Sequence, residues 1–316
     1  MKRLRVGVIG VGAMGVHHAR LYHALAEAEL VGVADRNEQT ARDVATACQT
    51  NAYTEYEQLL KQDLDAVSIA VPTSLHREVA TKAAAHGVHL LVEKPIADTL
   101  SSADAVIAAA RRGNVKLMVG HIERFNPVIL KLKELVLAGE LGELLSISCR
   151  RVGPNPQRIR DVGIIIDLAV HDIDAISYLY GLQAQNVYAI GGNSFHIKED
   201  YASILLHYAG KKSGFVETNW LTPHKIRKIT VTGTKGVAQA DYLEQSLEIW
   251  REGLISTITV EKREPLRNEL EHFLHAVGHG ERPSPSGEEG KYALYVALCA
   301  IQSYDNGTNV RLNLNA

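Results

Sequence analysis

The residues best placed to do chemistry open the chain. Gly10-Val11-Gly12-Ala13-Met14-Gly15 follows the apolar run Leu4 to Ile9 and leads into a helical pattern that begins near Ala13. In such a strand–turn–helix, Gly10 allows the tight turn, Gly12 lets the backbone approach a pyrophosphate, and Gly15 lets helix pack closely on strand. The helix start at Ala13, Met14 and Gly15 adds free N–H groups and the positive end of a dipole. A second apolar run, Leu30 to Ala34, ends at Asp35. That carboxylate lies ~20 residues past the glycines, where it can bind both ribose hydroxyls of an adenosine. Together these residues read as a dinucleotide site. Asp35 repels a 2′-phosphate and favours NAD over NADP. Arg36 beside it pulls the other way, because an arginine can serve that phosphate.

Two further constellations carry ionisable groups. Glu93-Lys94-Pro95 closes an apolar run, and a lysine at a buried strand end is costly unless it has work or a partner. Lys94 reads either as an ammonium set against a substrate hydroxyl or as half of an ion pair with Glu93. On the helical pattern Ile165 to Tyr180, the residues Asp167, His171, Asp174 and Tyr178 fall on one stripe, and Ala169, Ile173, Ile176 and Tyr180 on the opposite one. The apolar stripe suits a sheet, which leaves the polar stripe for a cleft or for solvent. A carboxylate one turn before a histidine can hold the imidazole and raise its basicity. A metal site needs more ligands than this stripe offers. Arg150, Arg151, Arg158 and Arg160 form a local basic cluster that could clamp a diphosphate or pair with carboxylates at a subunit interface. His17 and His18 read as packed or solvated. His196, His207, His224, His272, His275 and His279 show no spacing that suggests a site.

The elements that must position these groups follow from periodicity. Up to Gly120 the chain alternates strand and helix: strands at Leu30 to Ala34, Asp65 to Val71, Val88 to Val92 and Lys116 to Val119, with helices capped by Asn37 and Ser74 and an Ala-rich helix from Ser101 to Arg112. That alternation specifies a doubly wound parallel sheet, whose ligands bind at the carboxyl ends of the strands. Gly10, Asp35, Pro72, Lys94 and Gly120 all lie at such ends. After Gly120 the pattern changes to a helix opened by Pro127, the Ile165 helix, and several alternating strand-like runs between Leu144 and Trp250, with two closing helices. These make an α+β domain with an open, mostly antiparallel sheet. The expected division is a Rossmann domain over 1–122 and a substrate-binding and oligomerisation domain over 123–316.

Composition narrows the classes. A chain of 316 residues with 34 Lys+Arg against 36 Asp+Glu has a net charge of -2, which gives no support to nucleic acid or membrane-surface binding. Cys48, Cys149 and Cys299 make no C-x-x-C, so a reducing, cytoplasmic setting fits better than a disulfide framework or a zinc site. The basic start Met1-Lys2-Arg3 leads into the glycine motif and reads as the first strand rather than a targeting segment. No apolar run is long enough to span a bilayer.

Taken together, Gly10 to Gly15, Val71-Pro72-Thr73 with His76, Glu93-Lys94-Pro95, and Asp167-Leu168-Ala169-Val170-His171-Asp172-Ile173-Asp174 resemble the glucose-fructose oxidoreductase / inositol dehydrogenase / rhizopine-catabolism (Gfo/Idh/MocA) family over essentially the whole chain. The resemblance implies an NAD(P)-dependent oxidoreductase acting on a sugar or cyclitol. It implies that Lys94, Asp167 and His171 act at the carbon that gives up hydride. It also implies that Val71, Pro72, Thr73, His76 and Glu93 neighbour the cofactor, and that the Lys94–Pro95 peptide is cis. Gly120-His121-Ile122-Glu123-Arg124-Phe125-Asn126-Pro127, and Arg151-Val152-Gly153-Pro154 leading through Arg158, are similar to segments in members that oxidise UDP-N-acetyl-hexosamines at the 3-hydroxyl. That likeness implies Arg124 at the cofactor and substrate, and Asn126, Arg151 and Arg158 at the substrate. The alternatives are a free cyclitol or hexose as substrate, or a non-catalytic NAD-binding regulator. The open sheet implies a homodimer or homotetramer.

Overall fold

The computed structural model describes residues 3–156 and 162–313, which divide into two compact units. The first comprises Met1–Ile122 with Glu264–Tyr292, and the second Glu123–Arg263 with Ala293–Ala316. The sequence reading left Glu264–Tyr292 with the second domain. Its helix is amphipathic like its neighbours, and nothing in its pattern says which core receives its apolar face.

In the first unit the order is β1 (Leu4–Ile9), α1 (Gly15–Ala24), β2 (Ala28–Ala34), α2 (Glu38–Ala47), β3 (Asn51–Tyr53), α3 (Tyr56–Leu60), β4 (Ala66–Ile69), α4 (His76–Ala85), β5 (His89–Glu93), α5 (Leu100–Arg112) and β6 (Leu117–Gly120). The six strands lie side by side as β3-β2-β1-β4-β5-β6, each pair parallel. This is the Rossmann order, with the switch point between β1 and β4. All four residues of β4 and the last four of β1 and of β5 are buried, which is why they read as continuous apolar runs. Asn37 caps α2 by accepting from the Thr40 N–H, as expected. Ser74 does not cap α4: a 3₁₀ turn, Thr73–Leu75, precedes it, and its N-cap Leu75 makes no side-chain bond.

The second unit contains α6 (Pro127–Leu137), β7 (Leu144–Pro154), a π-helical segment Ile165–Ala169 that runs into α7 (Val170–Tyr180), and the strands β8 (Ala184–Gly192), β9 (Tyr201–Tyr208), β10 (Lys212–Asn219), β11 (Leu221–Gly233), β12 (Gly236–Asp241), β13 (Ser246–Arg251) and β14 (Leu254–Ile258). After α8 (Pro265–Gly278) and α9 (Gly287–Asn306), β15 (Val310–Arg311) adds an edge. The nine strands run β14-β13-β12-β11-β7-β10-β9-β8-β15. Only β7 and β10 pair in parallel, so the sheet is open and mostly antiparallel. On β9, Ala202, Ile204, Leu206 and Tyr208 face the core and their neighbours face out, the period-2 alternation of a one-sided sheet. No helix among the described residues is long and apolar enough to cross a membrane.

Candidate functional site

In the first unit the glycine turn has the shape a dinucleotide needs. Gly10 has φ +82°, and a Cβ there would sit 2.7 Å from the Val71 nitrogen. A Cβ on Gly15 would lie 1.8 Å from the Gly10 carbonyl oxygen, so only glycine permits this helix–strand approach. At Gly12 a Cβ would meet nothing within 4 Å, and that open side is where phosphates can reach the backbone. Met14 at the N-cap of α1 makes no side-chain cap and the first turn carries no acid, so no side chain competes with an anion at the helix start. A cavity of about 410 Å³ is lined by Gly10, Gly12, Asp35, Arg36, Val71 and Pro72, with Tyr56, Leu75 and Glu78 among its other walls. Asp35 Oδ2 accepts from the Val11 N–H at 2.9 Å, and Oδ1 from the Asn37 N–H at 2.9 Å. The carboxylate therefore pins the glycine turn as well as facing the cavity. The donor set, the open backbone at Gly12 and the carboxylate at the end of β2 fit an NAD-type dinucleotide.

Thr73 opens the 3₁₀ turn beside this cavity, and His76 begins α4 directly after it. It is 1% exposed, and its ring nitrogens lie 2.9 Å from the Pro95 carbonyl and 3.0 Å from the Val71 carbonyl. It thus braces the loop after β4 against the loop after β5 from inside the protein. The Lys94–Pro95 peptide is cis. Glu93 is 8% exposed, and its Oε1 lies 2.9 Å from His18 Nε2 in a buried hydrogen bond. Its Oε2 accepts from the Lys94 backbone N–H at 3.2 Å. Burial raises the Glu93 carboxyl, but the His18 hydrogen bond, the Lys94 charge and the Lys94 backbone N–H more than offset this and hold it below the usual carboxylate range. His18 is fully buried, the packed one of the two positions expected for it, and its ring is hydrogen-bonded at both nitrogens. The signal was present: Gly15, His18, Ala19 and Tyr22 fall on the buried face of α1 at helical spacing.

In the second unit, Asp167 lies within the π segment and His171 in the first turn of α7, both half-buried. The Ile165 N–H donates to Glu199 at 3.3 Å, and the Ile164 N–H to the Glu199 carbonyl at 2.9 Å, which anchors the start of the segment. The wide π turn breaks the stripe drawn from a uniform α-helix. Asp174 does not join a polar cleft face; it is 3% exposed and takes Arg124 in a bidentate pair at 2.7 and 2.6 Å. The Arg124 guanidinium also lies 4.8 Å from the centre of the Tyr178 ring.

The basic cluster is also corrected. Arg151 is 2% exposed and its fork is committed: Nε and Nη2 bind Asp172, each at 2.9 Å, and Nη1 binds Glu123 at 2.6 Å. Burial would depress its pKa, but Asp172 and Glu123 raise it well above the ordinary value. Arg151 is a buried brace rather than a diphosphate clamp. Asn126, expected at the substrate, is 3% exposed, caps α6 and donates to the Tyr242 carbonyl at 3.1 Å. Arg150 pairs with Glu217 at 3.1 Å. Arg158 and Arg160 lie outside the described residues. Sequence reasoning missed Arg227 on β11, a partly exposed cation 3.6 Å from Glu123 and within electrostatic range of Asp167. Among the described residues, no group of His, Cys, Asp and Glu could hold a metal ion.

Two family models match consecutive parts of the chain. The one described as an oxidoreductase family with an NAD-binding Rossmann fold covers residues 4–121, and the GFO/IDH/MocA C-terminal domain covers 129–239. The chain is 32% identical to a UDP-N-acetylglucosamine 3-dehydrogenase of Acidithiobacillus ferrooxidans over 94% of its length and 96% of that protein. It is 30% identical to an NAD(+)-dependent scyllo-inositol 2-dehydrogenase of Bacillus subtilis over 99% of its length and 97% of that protein. The solved structure of the A. ferrooxidans enzyme superposes with a TM-score of 0.91 at 31% identity, over 97% of this chain and 99% of that one. A Rossmann unit with its glycine turn and acidic strand end, followed by an open antiparallel sheet, therefore places this chain in the GFO/IDH/MocA oxidoreductase family, as an NAD-binding dehydrogenase acting on sugar-type hydroxyls.

Proposed function

We propose that the protein oxidises the 3-hydroxyl of a UDP-N-acetyl-hexosamine to a ketone, with NAD preferred over NADP. The observation that carries the substrate reading is the likeness, over nearly the full length of both chains, to a UDP-N-acetylglucosamine 3-dehydrogenase. Asp35 at the end of β2 supports the cofactor preference. Gly10, Gly12, Ala13, Met14 and Gly15 would hold the pyrophosphate, and Asp35 the adenosine ribose. When bound, NAD supplies the hydride acceptor. His171 takes the hydroxyl proton as general base, Lys94 donates a hydrogen bond to the reacting oxygen as it becomes a carbonyl, and Asp167 orients the substrate. With Arg151 occupied inside the protein, Arg227 is, among the described residues, a partly exposed cation suited to a substrate anion.

A panel of UDP-GlcNAc, UDP-GalNAc, myo-inositol and glucose with NAD tests this. NADH formation with kcat/KM highest for a UDP-sugar, by at least about tenfold, supports the reading. A higher value for the free cyclitol or hexose replaces it with the alternative substrate class. No turnover with any member, alongside measurable NAD binding, favours a non-catalytic regulator. His171→Ala should slow turnover by about 10²–10⁴.

A further inference from the structure

One buried group of side chains in the first unit has no part in the chemistry assigned so far. Tyr22 and His18 on α1, Ser68 on β4 and Glu93 on β5 are each buried, the first three completely. Tyr22 Oη lies 2.9 Å from Ser68 Oγ, which lies 3.1 Å from His18 Nδ1, and His18 Nε2 lies 2.9 Å from Glu93 Oε1. One proton arrangement uses every hydrogen. Tyr22 donates to Ser68, Ser68 to His18 Nδ1, and His18 through Nε2–H to an ionised Glu93. An imidazolium would donate at both nitrogens and leave the Ser68 proton without an acceptor in the chain. The chain therefore has a direction, and it ends on the carboxylate.

The other oxygen of that carboxylate accepts the Lys94 backbone N–H. Glu93 faces Gly120 on β6 in register, and a Cβ there would come within 3.2 Å of its carboxyl atoms, so glycine leaves the carboxylate its place. Burying an ionised carboxylate and three polar groups is costly unless all are satisfied. A structural core at this position needs only apolar contacts, as at the adjacent Val92 and Leu91.

We propose that His18 and Glu93 are positioning residues: the directed chain Tyr22–Ser68–His18–Glu93 fixes the strand end from which Lys94 departs and keeps a negative charge beside it. The proposal rests on Lys94 taking part in the reaction. A double-mutant cycle in the full-length enzyme separates the two claims. Glu93→Gln keeps the volume but removes the terminal anion. It should lower kcat about 10–100-fold while KM for NAD and for the sugar stays within about twofold. In a Lys94→Ala background the same change should cost nothing further, because the residue it acts through is gone. Ser68→Ala, which shortens the chain without touching Glu93, should give a smaller loss that also vanishes without Lys94. It decides the matter if Glu93→Gln fails to fold. Amide hydrogen exchange across Glu93–Ile96 should quicken in both variants, with NADH affinity unchanged. Equal losses with and without Lys94 overturn the positioning role. A Lys94→Ala enzyme with near-normal kcat overturns instead the reading of Lys94 on which the proposal stands.

Discussion

At the scale of single residues, Asp35 does two tasks with one carboxylate. Both its oxygens already accept backbone N–H groups, from Val11 in the glycine turn and from Asn37 at the start of α2. Hydrogen bonds to an ionised group contribute about 1.5–3 kcal/mol each. Asp35→Ala should therefore weaken NAD binding by roughly tenfold or more through the lost ribose contact and the loosened turn. It should weaken NADP binding far less, because a repulsive charge leaves with it. Titration of NADH and NADPH fluorescence on the same variant gives both constants. A ratio that does not move towards NADP would remove Asp35 from cofactor choice and leave Arg36 as the residue to examine.

At the scale of elements, α7 shows what a sequence can and cannot disclose. Arg151 ties β7 to this helix through Asp172, and Arg124 ties it again through Asp174. Both acids follow His171 within one turn of the helix, so the helix is set by two buried ion pairs rather than by apolar contact alone. Asp172→Asn should destabilise the protein by about 3 kcal/mol, because it leaves the buried guanidinium with Glu123 as its one anionic partner among the described residues. Denaturant unfolding measures this, and a loss below about 1 kcal/mol would show that the pair adds little. Much of this was legible in advance. Tyr201–Tyr208 and Gly236–Asp241 were readable as strands from their short apolar-rich runs between turns, although the outward Leu205 hides the alternation of burial that the structure shows. The same alternation puts Ile147, Cys149 and Arg151 on the inner face of β7, a sign that Arg151 must be buried and paired. Asn126 directly before Pro127 likewise has the N-cap signature. The π turn was not legible, because Ile164-Ile165-Ile166 is equally apolar in either helix. The short strands β3 and β15 lack enough residues to show a period, and all five residues of β14 are at least partly exposed, so no inward–outward contrast marks it.

At the scale of the whole molecule, acid sensitivity and self-association are the properties to expect. His89 Nδ1 accepts the Lys116 N–H, and His272 Nε2 the Ser284 N–H, so both rings are held in the neutral form. Burial comes first in lowering each below the ordinary 6.5, with the Lys116 charge adding to it at His89 and His275 at His272. A lowered native pKa means that below pH 6.5 the unfolded chain binds protons the native one does not. Their contribution is thus complete above pH 6.5 and is lost as pH falls through the lowered native values. A His89→Gln variant should unfold with a shallower pH dependence there, and an unchanged slope would clear His89 of the effect. The second property comes from the outer face of the nine-stranded sheet. Cross-strand register sets Tyr188 beside Leu205 and Leu205 beside Phe215, and Ile190 lies in the next row. Ile190 is 59% exposed, Leu205 48% and Phe215 39%. Contiguous apolar side chains on an exposed sheet face are the kind of surface that pairs with another copy. Light scattering should therefore give a dimer or tetramer. Leu205→Asp with Phe215→Asp should raise the dissociation constant at least about 100-fold, since central anchors commonly contribute 2 kcal/mol or more each. Their inward neighbours Ile204, Leu206 and Val216 are untouched, so the melting transition of the variant's sheet should persist. NADH affinity should also persist, because the glycine turn and Asp35 belong to the other unit. A wild-type protein that scatters as a monomer, or a double variant that associates as before, would leave this face to some other purpose.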